Sequence, residues 1–268
     1  MKAKIVDTEN VEKGSVELPF QFSEPLREDL IHRAVITLQS NKRQKYGSFP
    51  EAGMQASVDI SKRRRDYKGV YGVGQSRSPR KILSRNGGRM NWVGARAPMT
   101  VKGRRAHPPK AEKNWDKKIN EKERRKAIRS AIAATMHKGI VEQRGHKIPQ
   151  HYPVVVDVHM ESLSKTKDVE IMLLALGFGD ELQRAAIKNV RAGKGKMRGR
   201  KYQRRVGPLL VVSKKSAMMD AAMNIPGVDV VEVKQLNAEM LAPGAKAGRA
   251  TIWSTAAIES LSKDKLFA

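Results

Sequence analysis

Asp157, His159 and Glu161, spaced by two, are the arrangement in this chain closest to a catalytic one. In a strand, alternate side chains share a face, so two carboxylates and an imidazole at this spacing can hold a divalent cation for metal-dependent RNA cleavage. The trio falls at the end of the apolar run Val154-Val155-Val156, where polar residues also simply meet water, and no further ligand pair accompanies it. Two glycine clusters invite a nucleotide reading. Gly69-Val70-Tyr71-Gly72-Val73-Gly74 lacks the dinucleotide-binding spacing, and Gly193-Lys194-Gly195-Lys196 lacks that of a phosphate-binding loop, with Met197 where a magnesium-binding hydroxyl would stand. The chain has no cysteine, which removes thiolate nucleophiles, disulfides and Cys-ligated zinc together. No Ser, His and Asp order suggests a triad. The expectation is a protein that is not an enzyme, with no cofactor and no metal.

The chemistry that the residue types support in quantity is phosphate binding. Fifty-three Lys and Arg stand against 27 Asp and Glu, a net charge of +26. So much like charge on one chain calls for a polyanion. Position matters more than the total. Residues 42–110 hold 18 basic side chains against three acids, and residues 188–205 hold nine against none, so these two stretches carry 24 of the 26 excess charges. The remainder is nearly neutral. On a solvated helix face acids alternate with bases to relieve repulsion; here the acids are almost missing. Nine Gly and five Pro interrupt residues 42–110, and no period of two or 3.6 is evident. The segment is predicted to build no core of its own and to be disordered when alone in water. At 69 residues it exceeds any ordinary connector.

In the first stretch Arg63, Arg64, Arg65, Lys68, Arg77, Arg80, Lys81, Arg85, Arg89, Arg96, Lys102, Arg104 and Arg105 offer a charge every few residues, with His107 beside them. In the second, Lys194, Lys196, Arg198, Arg200, Lys201, Arg204 and Arg205 do the same. Each can neutralise a phosphate and release a counterion, and Arg can do so through two hydrogen bonds. Tyr46, Phe49, Tyr67, Tyr71 and Trp92 supply faces on which bases can stack, Tyr67, Tyr71 and Trp92 above all, which favours RNA with splayed bases over duplex DNA. The mechanism expected is folding coupled to RNA binding. A membrane partner fits poorly. The longest apolar run, Ile171-Met172-Leu173-Leu174-Ala175-Leu176, is far too short to span, and acids at Asp7, Glu9 and Glu12 spoil a targeting segment. The chain is expected to stay in the cytoplasm.

These stretches need a scaffold, and the rest of the chain supplies one. Short strands are predicted near Lys4-Ile5-Val6 and over residues 15–18, then a helix over 25–41 capped by Ser23. A second helix is expected over 117–138, capped by Asn114 or Asp116, with Ile128, Ile132 and Met136 buried. The C-terminal half alternates. Strands fall at 154–158, 209–212, 228–233 and 250–253, and helices at 169–176, 216–223, after Asn237 and at 254–262. Short apolar strands between helices imply a mostly parallel sheet covered on both faces, a three-layer α/β domain. Its predicted extent is residues 1–41 with 111–268, and residues 42–110 form a long extended basic loop inserted into it.

Two blocks carry a family resemblance. Val101-Lys102-Gly103-Arg104-Arg105-Ala106-His107-Pro108-Pro109-Lys110 resembles the end of the long loop in the ribosomal protein L four family of archaea, and Gly87-Gly88-Arg89-Met90 resembles the eukaryotic members. Ala192-Gly193-Lys194-Gly195-Lys196-Met197-Arg198-Gly199-Arg200-Lys201-Tyr202 is similar to the family's second signature. The resemblance runs over nearly the whole chain and is weaker across residues 57–85. It implies a structural protein of the large ribosomal subunit, with its globular domain on ribosomal RNA. The loop tip, near residues 70–89, would help line the nascent-peptide exit tunnel beside ribosomal protein L twenty-two. The competing expectations are a metal-dependent RNA-processing enzyme using Asp157, His159 and Glu161, and a free-standing RNA chaperone or DNA-compacting protein.

Overall fold

The computed structural model describes residues 2–56, 58, 63–65, 71–72, 77–87 and 89–268, and of Arg85 and Met90 it describes the backbone. The chain divides into two compact units, Met1–Lys42 with Asp116–Ala268, and Arg43–Trp115.

The first unit begins with β1 (Lys2–Val6) and β2 (Glu12–Glu17), a 3-10 turn at Phe20–Ser23 and α1 (Glu28–Asn41). The second unit contains β3 (Arg80–Asn86) and β4 (Arg89–Gly94). The first unit then resumes with α2 (Glu121–Met136), α3 (Lys138–Gln143), β5 (Val154–Val156), α4 (Thr166–Ala175), α5 (Gly179–Ala186), β6 (Lys188–Val190) and β7 (Tyr202–Arg204). It finishes with β8 (Leu209–Val212), α6 (Ala217–Ala222), β9 (Asp229–Glu232), α7 (Ala238–Leu241), β10 (Thr251–Ser254) and α8 (Thr255–Lys263).

Six strands form one sheet in the order β2-β1-β5-β10-β8-β9. Only the β1–β2 hairpin is antiparallel; every other neighbouring pair is parallel. Side chains alternate across the central strands and feed two cores. Val155, Leu209, Val211 and Trp253 face one side, where Ile31 and Val35 of α1, Ile128 and Ile132 of α2 and Ile258 of α8 cover them. Val154, Val156, Leu210, Val212 and Ile252 face the other, under Val169, Met172 and Leu173 of α4 and Met218 of α6. Trp253 is fully buried and meets Phe22 edge to face, ring centroids 5.1 Å apart. The predicted three-layer α/β domain with a mostly parallel sheet is therefore the observed architecture.

Element ends differ from the sequence expectations for identifiable reasons. Helix α1 starts three residues after Pro25, and Ser23 lies in the preceding 3-10 turn and caps nothing. Its entry is held instead across the core. The Arg27 backbone N–H donates to Ser130 Oγ at 2.7 Å, and that hydroxyl donates to the Pro25 carbonyl at 3.0 Å. Helix α2 starts at Glu121 rather than Lys117. The Asn41 side-chain amide pairs with the backbone N–H and C=O of Lys117 at 2.9 and 3.2 Å, taking up groups a helix would use. Neither Asn114 nor Asp116 is the cap; that position falls to Asn120. Strand β5 stops at Val156, because the Asp157 carboxylate accepts the Val158 N–H at 2.7 Å and turns the chain into a 3-10 helix.

The second unit contains a hairpin where no period of two was evident. Strands β3 and β4 pair from Arg80↔Gly94 to Asn86↔Arg89, with an irregularity between Ile82 and Ser84 that obscures the alternation. The Ala95 N–H donates to the Pro79 carbonyl at 3.0 Å and closes the open end, with Ala95 itself buried. Nearer the ends of this unit the outgoing and returning chain run side by side. The Ser48 N–H donates to the Pro109 carbonyl at 3.0 Å, and a Cβ on Gly47 would lie 2.5 Å from the Ala111 nitrogen. Only glycine lets the two backbones come so close.

Candidate nucleic-acid interface

Residues 188–205 fold as a second small hairpin. Strands β6 and β7 pair antiparallel from Lys188↔Arg204 to Val190↔Tyr202, and Arg191 N–H donates to the Lys201 carbonyl at 2.8 Å just beyond. A 3-10 turn at Lys194–Arg198 forms the end of the loop. Lys194, Lys196, Arg198, Arg200, Lys201, Arg204 and Arg205 are all exposed on it. Among the described residues, no basic side chain of this stretch makes an ion pair with a carboxylate. Two of its cations face the Tyr202 ring, with Lys188 Nζ 3.7 Å and Lys201 Nζ 5.4 Å from the ring centroid. Such a concentration of unneutralised charge on a short ribbon is suited to phosphate.

A buried polar cluster holds the base of this ribbon to the α/β core. The Glu181 side chain is fully buried and takes two hydrogen bonds from Arg184, at 2.7 and 2.5 Å, and one from the Lys147 backbone N–H at 2.9 Å. His146 Nδ1 lies 2.6 Å from the other side of the same carboxylate. Burial alone would raise the Glu181 carboxyl, but Arg184, His146 and the Lys147 amide hold it down at about 2. Burial pushes His146 below its ordinary value, against the opposing pull of Glu181. Arg184 also donates to the Val206 carbonyl at 2.7 Å, directly after the ribbon. Next to it, the buried Arg249 guanidinium donates to the Gly207 carbonyl at 2.9 Å, to the Met240 carbonyl at 3.0 Å and to Asp229 at 2.5 Å. Sequence reasoning missed Glu181, Arg184, His146 and Arg249. Glu181 and Arg184 stand three apart on α5, a spacing shared by many solvated pairs, whereas His146 and Arg249 lie 35 and 42 residues from Glu181 and Gly207, where no local spacing marks them.

Gly227 completes the base. It has φ +78°, its carbonyl accepts the Gly207 N–H at 2.8 Å, and a Cβ there would sit 2.8 Å from Ala185 Cβ and 3.0 Å from the Arg205 carbonyl. Replacing Gly227 with alanine is expected to cost about 1–3 kcal/mol, combining a disfavoured left-handed backbone with a clash. Urea denaturation of the two proteins measures it, and a change under about 0.5 kcal/mol would show that the site relaxes freely.

In the second unit, Arg63, Arg64, Arg65, Arg77, Arg89, Arg96, Lys102, Arg105 and His107 are exposed, whereas Arg80, Lys81 and Arg104 are half-buried. Two of the predicted stacking rings already carry a cation. Arg77 lies 4.4 Å from the Tyr71 centroid and Arg80 lies 6.0 Å from that of Trp92. Tyr67 and Lys68 lie outside the described residues, and so does the side chain of Arg85. The structure adds a cluster the sequence did not single out. Tyr46 and Trp115 pair with centroids 4.8 Å apart, and the Arg43 guanidinium lies 5.1 and 4.9 Å from the two rings.

The structure does not bring Asp157, His159 and Glu161 together as ligands. The three residues are not on a strand, as the spacing had suggested, but on the cap and body of a 3-10 helix. The Glu161 carboxylate is occupied by Ser213, through its N–H at 2.8 Å and its hydroxyl at 2.7 Å. Lys13 bonds Asp157 at 3.1 Å, and His159 is exposed, 4.0 Å from Asp157. Among the described residues no cluster of three His, Asp or Glu side chains is placed to hold a metal ion. Nor, among them, is any helix long and apolar enough to cross a membrane.

The chain is similar to known proteins over nearly its whole length. The model of the Ribosomal protein L4/L1 family matches residues 16–264. A protein of Nanoarchaeum equitans named "Large ribosomal subunit protein uL4" is 50% identical over 268 residues, covering all of both chains. Proteins of the same name are similar from Archaeoglobus fulgidus, at 44% over 262 residues, with 97% of this chain and 98% of the relative covered. That of Methanococcoides burtonii is 46% identical over 260 residues, with 97% of each chain covered.

Proposed function

Because this chain belongs to the ribosomal protein L4/L1 family, we propose that it is a structural constituent of the large ribosomal subunit and acts there by binding ribosomal RNA, without catalysis. The observation that carries this reading is the exposed ribbon of residues 188–205, whose cations have no carboxylate partners among the described residues and whose base is locked into the core. Its charge would offset phosphate crowding where RNA helices meet. The unit Arg43–Trp115 is the natural second contact, since its Arg and Lys side chains outnumber its acids several-fold.

The finer roles rest on the family resemblance. The α/β domain and the residue 42–110 insertion would divide the work, the domain docking on RNA and the insertion running inward to support assembly. Its tip would border the nascent peptide in the exit tunnel next to ribosomal protein L twenty-two. The protein would then reside in the cytoplasm, within the particle.

Co-sedimentation with ribosomal particles tests the core of this. The full chain is expected to enter large subunits and to stay there at high salt. A version lacking residues 53–101 is expected to enter also, docked by the α/β domain and the 188–205 ribbon. A full-length protein that remains outside large subunits would sink the ribosomal reading.

A further inference from the structure

The cluster around Tyr46 and Trp115 borders an open cavity of about 710 Å³ in the second unit, lined by both rings together with Arg105, His107, Lys110 and Lys113. We propose that this cavity is a subsite for one unstacked nucleotide of the bound RNA, its base on the Tyr46 ring and its phosphate against Arg105 and Lys110. The inference rests on the RNA-binding reading above and adds a defined place and chemistry to it.

Three features argue for a nucleotide. The first is a built aromatic wall. Tyr46 and Trp115 pack at 4.8 Å with their planes 43° apart. Arg43 lies over both rings yet does not line the cavity, so it backs the pair and leaves the cavity side to a ligand. Tyr46 nevertheless keeps 49% of its surface exposed. The second is charge. Arg105, Lys110 and Lys113 line the cavity against one acid, Glu112, so an anionic ligand is favoured over a neutral or acidic-seeking one. Lys113 Nζ lies 5.6 Å from the Trp115 ring, which leaves Arg105 and Lys110 as the cations most open to a phosphate. The third is rigidity. The walls come from both directions of the chain, tied by the Ser48 N–H to Pro109 carbonyl bond at 3.0 Å and by the close passage of Gly47 at Ala111. Pro108 and Pro109 further restrict the wall they form. A pre-ordered stacking platform loses little entropy when a base docks on it. A cavity of this size exceeds a single base, so it accommodates the sugar and phosphate as well.

The full-length protein, its Tyr46→Ala variant and its Tyr46→Phe variant should be titrated against isolated archaeal large-subunit ribosomal RNA over a range of salt. Loss of one base stack is expected to weaken Tyr46→Ala by about 5- to 150-fold, with Tyr46→Phe within about two-fold of the parent. The slope of log affinity against log salt is expected to stay unchanged in Tyr46→Ala and to fall by about 0.7–0.9 in Arg105→Gln, because stacking releases no counterion and a phosphate contact does. Equal affinity of Tyr46→Ala and the parent overturns the subsite, as does a fall in its salt slope, which would mean the ring merely props a cation. Competition by free adenosine monophosphate, with RNA affinity unaffected by Tyr46→Ala, would make it a free-nucleotide site and also overturns the proposal. Failure of the parent itself to bind this RNA overturns the RNA-binding reading instead, and the subsite with it.

Discussion

Replacing Glu181 with leucine is expected to destabilise the α/β unit by about 3–5 kcal/mol, the usual result of removing one partner of a buried ion pair. Arg184 is left mostly buried with no carboxylate, since Glu181 supplies two of its hydrogen bonds, and the Lys147 N–H and His146 lose their acceptor as well. A control separates charge from shape. Exchanging Glu181, Arg184 and His146 together for apolar residues of similar volume should recover much of the loss, because no unpaired charge then stays inside. The pH dependence follows from two groups. The Glu181 carboxyl is held at about 2, below its unfolded value of 4.5. Its contribution is therefore complete above that unfolded value and drains away as pH falls toward 2. His146 is likewise depressed, so its contribution exists above its unfolded value of 6.5 and is lost below it. Both act in one direction. Chemical denaturation of the parent should show stability falling on acidification from pH 7 to pH 3, and Glu181→Leu should flatten the lower part of that decline. A variant as stable as the parent at pH 7 would remove the cluster from any role in holding the ribbon.

Neutralising the ribbon is expected to have the largest effect on RNA. Changing Lys194, Lys196, Arg198, Arg200, Lys201 and Arg204 to glutamine removes six exposed cations, none of which is paired with a carboxylate among the described residues. Of the six, Lys201 approaches the exposed Tyr202 ring at 5.4 Å and all are solvent-exposed, so stability should stay within about 0.5 kcal/mol of the parent. Against large-subunit ribosomal RNA, the salt slope should fall by about four to five if each cation meets one phosphate. At moderate salt the affinity loss should then reach roughly 10³-fold. Filter binding at 50 and 200 mM salt reads both quantities. If the slope changes by less than one, the ribbon faces solvent in the complex and the second unit carries the RNA.

The expected architecture was legible because apolar strands buried on both faces leave a strong linear mark. Val154-Val155-Val156 and Leu209-Leu210-Val211-Val212 are continuous apolar runs, and each proved to feed both cores of a parallel sheet. The boundaries were less legible. The start of α2 is displaced by the Asn41 amide on Lys117, a contact 76 residues long that no window detects. The hairpin of β3 and β4 escaped notice because its register breaks between Ile82 and Ser84 and because its residues are mostly Arg, Lys, Asn and Ser. The same difficulty hid β6 and β7, whose six residues are all exposed and so leave no apolar alternation.

The metal reading of Asp157, His159 and Glu161 failed on one assumption, that spacing by two meant a shared strand face. A carboxylate that can cap its own following N–H competes with the strand, and Asp157 does so. Glu161 then turns to Ser213, 52 residues away, and is satisfied there.

By itself the sequence determined the layered α/β class and the division of charge into two cationic stretches. Composition and periodicity suffice for these, because burial and net charge are summed over many residues and survive local error. Tertiary structure alone decided how the charge is held and aimed. The ribbon's base depends on Glu181, Arg184, Arg249 and Gly227, and the stacking cavity depends on Tyr46 meeting Trp115, 69 positions later. Apart from the Glu181–Arg184 pair, three apart on α5, these are contacts between residues distant in the chain, where a polar group becomes informative only once burial has removed its water and required it to find a partner.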